Sequence, residues 1–123
     1  MVLVDTSVWV SHFKNTQPKL IELLNQDLVS CHPLVIAEIA CGTPPNPRAR
    51  TLGDLSLLNQ CKIATQEEVL STIERYNLFG RGCGYIDIAL LASALITDST
   101  KLWTLDKRLN LLAKQFDRSF LVE

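Results

Sequence analysis

Short apolar runs that hand over directly to helix-opening signals set the strongest limit on how this chain can fold. VLV at residues 2–4 runs into Asp5, Thr6 and Ser7. LVSC at 28–31 runs into His32-Pro33, and CKIA at 61–64 into Thr65 with Glu68 three positions on. KLWTL at 101–105 runs into Asp106. Each run is too short for a helix and rich in strand formers. The polar residues behind them are mostly types that cap helix N-termini. Strands alternating with helices predict a mostly parallel sheet covered on both faces, a three-layer α/β/α arrangement in the α/β class.

The spacing of apolar residues places the helices. One is expected over 7–14 and the next from Pro18 through Leu20, Leu23 and Leu24. Another runs from His32-Pro33 to about Cys41, where Gly42 stops it. Helical spacing resumes from Pro47 to Asn59, then from the Thr65 capping box along Val69, Ile73 and Tyr76. The last two are expected from Ile86 to about Ile96 and from Asp106 through Leu109, Leu112 and Ala113, with a final strand over Ser119–Val122. The TPPNP stretch at 43–47 breaks helix but leaves neither flank able to hold a core alone. One domain over residues 1–123 is therefore expected.

The formal charge of −1 gives no global basic field, so only a local patch would favour nucleic acid. The N-terminus lacks a basic n-region, and no apolar run reaches membrane-spanning length, so a cytoplasmic chain without a membrane partner is expected. Cysteines 31, 41, 61 and 83 form no CxxC pair and share no zinc spacing with His12 or His32. Buried free thiols in a reducing compartment are expected. GRGCG at 80–84 lacks the spacing of a nucleotide P-loop and follows a helix. Its Gly82 and Gly84 are expected to permit a tight turn.

Four carboxylates stand out. In a parallel sheet, ligands collect beyond the carboxyl ends of the strands. Asp5 and Asp106 follow two of the strands. Glu38 interrupts the apolar PLVIAEIAC, and Asp87 sits where the glycine loop becomes the apolar IALLASAL. Singly, the aspartates could cap helices and Glu38 could pair with an arginine. Together at one edge they would repel one another, which calls for a positive partner. With no thiol or imidazole beside them in sequence, a hard divalent cation such as Mg2+ or Mn2+ fits, and that cation suits phosphoryl chemistry. Thr6, Ser7 and Thr104 are candidate supporting hydroxyls. Arg81, Lys107 and Arg108 are candidate rim contacts to a phosphate backbone. A scaffold holding a structural cation remains open. A HAD-like phosphatase is disfavoured because Ser7 stands where its second aspartate would be.

VDTSVW at 4–9, the glutamate in VIAEIACG at 35–42, GRGCGYIDIALLASAL at 80–95 and LWTLDKRL at 102–109 resemble, in order, the PIN-domain ribonucleases of the VapC toxin family of VapBC toxin–antitoxin modules. The resemblance implies that Asp5, Glu38, Asp87 and Asp106 form a catalytic Mg2+ or Mn2+ site. It implies hydrolysis of RNA phosphodiester bonds to a 5′-phosphate and a 3′-hydroxyl. It also implies a homodimer, and inhibition by a VapB-like antitoxin whose tail covers the groove. Any DNA association would then be indirect, through the antitoxin. The helices at 7–14 and 47–59, with Trp9 and Phe13, are candidate antitoxin surfaces. Arg81, Lys107 and Arg108 are candidate contacts to RNA or antitoxin. Some family members carry a further acid two places after the last aspartate, where this chain has Arg108. A DNA-directed nuclease of the same broad class would share the acids and remains open.

Overall fold

The computed structural model describes residues Met1–Val122. Along the chain come β1 (Val2–Val4), α1 (Thr6–Lys14), α2 (Pro18–Asn25), β2 (Val29–Cys31), α3 (Pro33–Cys41) and α4 (Arg48–Ser56). They are followed by β3 (Asn59–Gln60), α5 (Gln66–Tyr76), α6 (Tyr85–Leu95), β4 (Lys101–Trp103) and α7 (Lys107–Gln115). The four strands form one parallel sheet in the order β3-β2-β1-β4. Val2 lies opposite Val29 on one side and Lys101 on the other, and Val4 opposite Trp103. All strands run the same way, so the residues after Val4, Cys31 and Trp103 emerge at one edge. On the two faces, α1 packs on α3 and α3 on α4, while α5 packs on α6 and α6 on α7. This is the expected α/β/α layering.

The core explains why α6 is where it is. Every residue from Ile88 to Ala94 is buried, because the helix is apolar all round and has no face to offer water. Leu90 and Leu91 are fully buried, each stabilising the fold by about 1.5–3 kcal/mol. Its one polar residue in that span, Ser93, is satisfied by three neighbours. The Ser93 hydroxyl donates to the Ala89 carbonyl (2.7 Å) and accepts from the Ala64 N–H (3.1 Å). It also lies 3.1 Å from Nε2 of His32. Nδ1 of His32 accepts the Leu34 N–H and so caps α3 (3.0 Å), which leaves Nε2 as the donor of a neutral ring. Burial pushes the His32 imidazole down, towards that neutral form.

Several expectations need correction. The third strand is Asn59–Gln60 rather than Cys61–Ala64. Cys61 and Ala64 are buried, but the N–H groups of Lys62 and Ala64 go to the hydroxyls of Thr97 and Ser93 instead of a strand partner. The helix expected to reach Asn59 ends at Ser56. The strand expected over Ser119–Val122 is reduced to a bridge between Leu102 and Ser119. The second and fourth strands begin and end tighter than expected, at Val29 and Trp103. In the glycine loop it is Gly80 (φ +68°) and Gly82 (φ +84°) that need glycine, whereas Gly84 has φ −85°. All four cysteines are free, but only Cys31 and Cys61 are buried; Cys83 is half-buried and Cys41 exposed. Among the described residues, no helix is long and apolar enough to cross a membrane.

Candidate active site

Asp5 continues the sheet by one bond and then starts a helix. Its N–H donates to the Trp103 carbonyl (2.9 Å), and its Oδ1 accepts the Thr6 N–H (2.8 Å) as the cap of α1. The Val4–Trp103 register brings Thr104 alongside it. Asp5 Oδ2 accepts from the hydroxyls of Thr104 (2.7 Å) and Ser7 (2.8 Å). Asp5 is 5% exposed, and its carboxylate oxygens accept from three donors, so its burial leaves no oxygen unsatisfied.

Those hydroxyls bind the neighbouring loop in turn. Thr104 Oγ1 accepts the Asp106 N–H (3.0 Å), and Ser7 Oγ accepts the Leu105 N–H (3.0 Å). Asp106 caps α7 by accepting the Leu109 N–H at Oδ1 (2.9 Å). Glu38 comes from α3, which packs on α1, and its Oε1 accepts the Thr6 hydroxyl (2.7 Å). An arginine partner, one option for Glu38, is absent among the described residues, and Thr6 bonds it instead. The capping roles considered for Asp5 and Asp106 are both real, and they coexist with the cluster.

Asp87 lies in the first turn of α6. Partial burial pushes its carboxyl above the usual carboxylate range, and the charges of Asp5, Asp106 and Glu38 push it further. A backbone hydrogen bond at Gly84 pulls the other way. The four acids thus share one electrostatic neighbourhood. Their donor set, carboxylate and hydroxyl oxygens, suits a hard divalent cation. Among the described residues, no three His, Cys, Asp or Glu side chains close into a ready coordination sphere. Like charge keeps uncompensated carboxylates apart, and Asp5 Oδ2 is already bonded to two hydroxyls.

Two groups beside the acids carried no clear sequence signal. The Leu105 N–H is a backbone donor that any residue could supply. Cys83 sits in the glycine loop, its thiol pushed up to about 11 by burial first and then by Asp87 and Asp106, with Arg108 and Arg81 opposing. Both arginines thus lie within electrostatic reach of Cys83. Arg81, Lys107 and Arg108 are exposed, and none forms an ion pair among the described residues. Glu38 also walls a cleft of about 460 Å³ with Val10, Phe13, Lys14, Pro44 and Pro45, so this cleft opens beside the acids rather than over all four. A separate groove of about 280 Å³ runs between α1 and α4, lined by Trp9, Phe13, Thr51, Leu55 and Leu58. Trp9 itself is buried in the core.

The sheet order and its helical layers go with a match to the PIN domain family over residues 2–115, which makes this a PIN-domain protein. The chain is also 45% identical over 109 residues to Ribonuclease VapC32 of Mycobacterium tuberculosis, in strain CDC 1551 / Oshkosh and in strain ATCC 25618 / H37Rv. The match covers 89% of this chain and 87% of the relative. Within the PIN-domain proteins, the chain belongs to the VapC family.

Proposed function

We propose that this protein is the toxin of a type II toxin–antitoxin pair, a Mg2+- or Mn2+-dependent endoribonuclease that hydrolyses RNA phosphodiester bonds. Membership of the VapC family supports the reading. The observation that supports the site assignment is that Asp5, Glu38 and Asp106 all act on Asp87 by charge, while none of the four is ion-paired to a lysine or arginine among the described residues. Asp5, Glu38, Asp87 and Asp106 would hold the cation. When bound, that cation would acidify water for in-line attack and offset the charge of the phosphate.

The chain's own groups do the positioning. Thr104 and Ser7 fix the rotation of the Asp5 carboxylate, and Thr6 links Glu38 to the same helix start. Arg81, Lys107 and Arg108 form a basic rim for the RNA backbone. The products are a 5′-phosphate and a 3′-hydroxyl. RNA as substrate places the activity in the cytoplasm. Residues 1–123 act as one domain in a homodimer. A VapB-like antitoxin packs in the groove between α1 and α4, and any contact with DNA is made by that antitoxin.

Purified wild type, Asp5→Asn and Asp87→Asn should be compared on a permissive single-stranded RNA with Mg2+, and again with the cation chelated. Each substitution, and chelation, should slow cleavage by about a hundredfold or more. Variants that cut as fast as wild type would sink the site assignment. Matched single-stranded and duplex DNA arms identify the substrate class.

A further inference from the structure

Arg108 stands in the first turn of α7, two residues beyond Asp106. Its side chain lies across Gly82. A Cβ added at Gly82 would come within 2.6 Å of Arg108 Cδ, 2.8 Å of Nη1 and 3.0 Å of Nε. Gly82 also has φ +84°, a conformation side chains rarely adopt. The backbone therefore favours glycine here, and any side chain at this position would push Arg108 out of its place. Gly80 and Gly84 have nothing within such reach, so Lys107 has no comparable seat there.

The guanidinium so placed is not neutralised. It forms no ion pair among the described residues, although Asp87 and Asp106 act on the same neighbouring thiol, Cys83, that it acts on. A cation at the edge of an acidic cluster, packed on a loop yet unpaired, has its fork of donors available for an anion. A planar guanidinium presents its donors as a preformed fork, so less freedom is lost per hydrogen bond when it grips a phosphate.

We propose that Arg108 is a substrate-binding residue that grips the RNA phosphate next to the bond being cut, and that Gly82 is the positioning residue that seats it. The inference rests on the RNA-cleaving reading above. The scissile phosphate belongs among the acids. Arg108, on the outer side of Asp106, holds the adjoining one. Its grip is the same in ground and transition states, so it acts on KM rather than kcat.

The test uses the full chain and a fluorescein-labelled single-stranded RNA of mixed sequence. Cleavage gives kcat and KM; anisotropy in an Asp87→Asn background gives binding without turnover. Arg108→Gln should raise KM and weaken binding about tenfold, with kcat within about twofold. The slope of log affinity against log salt should fall by about 0.7, the share of one single-strand phosphate. Arg108→Lys should restore the slope but only part of the affinity. Gly82→Ala should reproduce the Arg108→Gln loss, and the double variant should bind no more weakly than either single one. Should Gly82→Ala fail to fold, the two arginine variants still decide. Unchanged KM, binding and slope in Arg108→Gln overturns the proposal, as do additive losses in the double variant. Wild type that cuts while Arg108→Gln matches it removes the anchor and leaves the ribonuclease. RNA that is bound but never cut, with the Arg108→Gln loss intact, removes the ribonuclease and leaves the anchor.

Discussion

Replacing Thr104 by valine removes one oxygen and almost no volume, which makes it a clean probe of how Asp5 is held. Thr104 is 7% exposed and its hydroxyl works in both directions. It donates to Asp5 Oδ2 at 2.7 Å and accepts the Asp106 N–H at 3.0 Å. Losing the bond to a carboxylate costs about 2 kcal/mol. The charge is not abandoned, since Ser7 and the Thr6 N–H remain on Asp5. The Asp106 N–H loses its acceptor, but Asp106 is exposed and water can replace it, so that part costs at most about 1 kcal/mol. The sum is about 2–3 kcal/mol. For a chain of this length, at about 4 °C per kcal/mol, thermal denaturation should fall by roughly 8–12 °C. Thr104→Ser keeps the hydroxyl and loses a methyl, about 0.8 kcal/mol or roughly 3 °C. Melting followed by circular dichroism reads both. A Thr104→Val protein that melts with wild type, or a Thr104→Ser protein as damaged as the valine variant, would refute the reasoning.

Asp87 should destabilise the cation-free fold. Its carboxyl holds a proton more tightly folded than unfolded, so stability is lost as pH rises from the ordinary value of 3.8 through the higher folded value, and stays lost above it. Asp87→Asn should therefore melt higher than wild type at neutral pH in chelator, with the gap closing in acid; a lower melting point at neutral pH would contradict this. Ser93→Ala should strand both the His32 Nε2–H and the Ala64 N–H in the core. The cost is about 3 kcal/mol in urea unfolding, and a loss under about 1 kcal/mol would mean that the network does not hold those donors.

The alternation of strands and helices was legible because short apolar runs meet capping residues at each junction. The third strand was not. Apolarity at Cys61–Ala64 reports buried side chains, but a strand is defined by where the backbone donors go, and here two go to side chains of the helical layer and its C-terminal turn, Ser93 and Thr97. The Asn59 side chain, bonded to the Asp27 carboxylate at 3.0 Å, lies in the strand that does pair, yet its polarity hid that strand. The acids were legible one by one, since Glu38 and Asp87 interrupt apolar helices and Asp5 and Asp106 follow strands. Their hydrogen-bond partners were only partly so. That Thr104 would face Asp5 depends on the register of two strands 97 or more residues apart in the chain. That Arg108 would lie on Gly82 depends on a side-chain path that no local pattern encodes.

Asp5 and Asp106 are the N-cap residues of their helices as well as standing among the acids, whereas Asp87 lies inside the first turn of α6 and sits under electrostatic stress. Point mutations that disarm the protein should therefore fall into two kinds with opposite fates in a cell. Loss of Asp5 or Asp106 loosens the chain and hands it to proteases. On the proposed function, loss of Asp87 leaves a well-folded, inactive decoy that would go on sequestering the antitoxin, so a single altered copy would unleash any intact copy produced beside it.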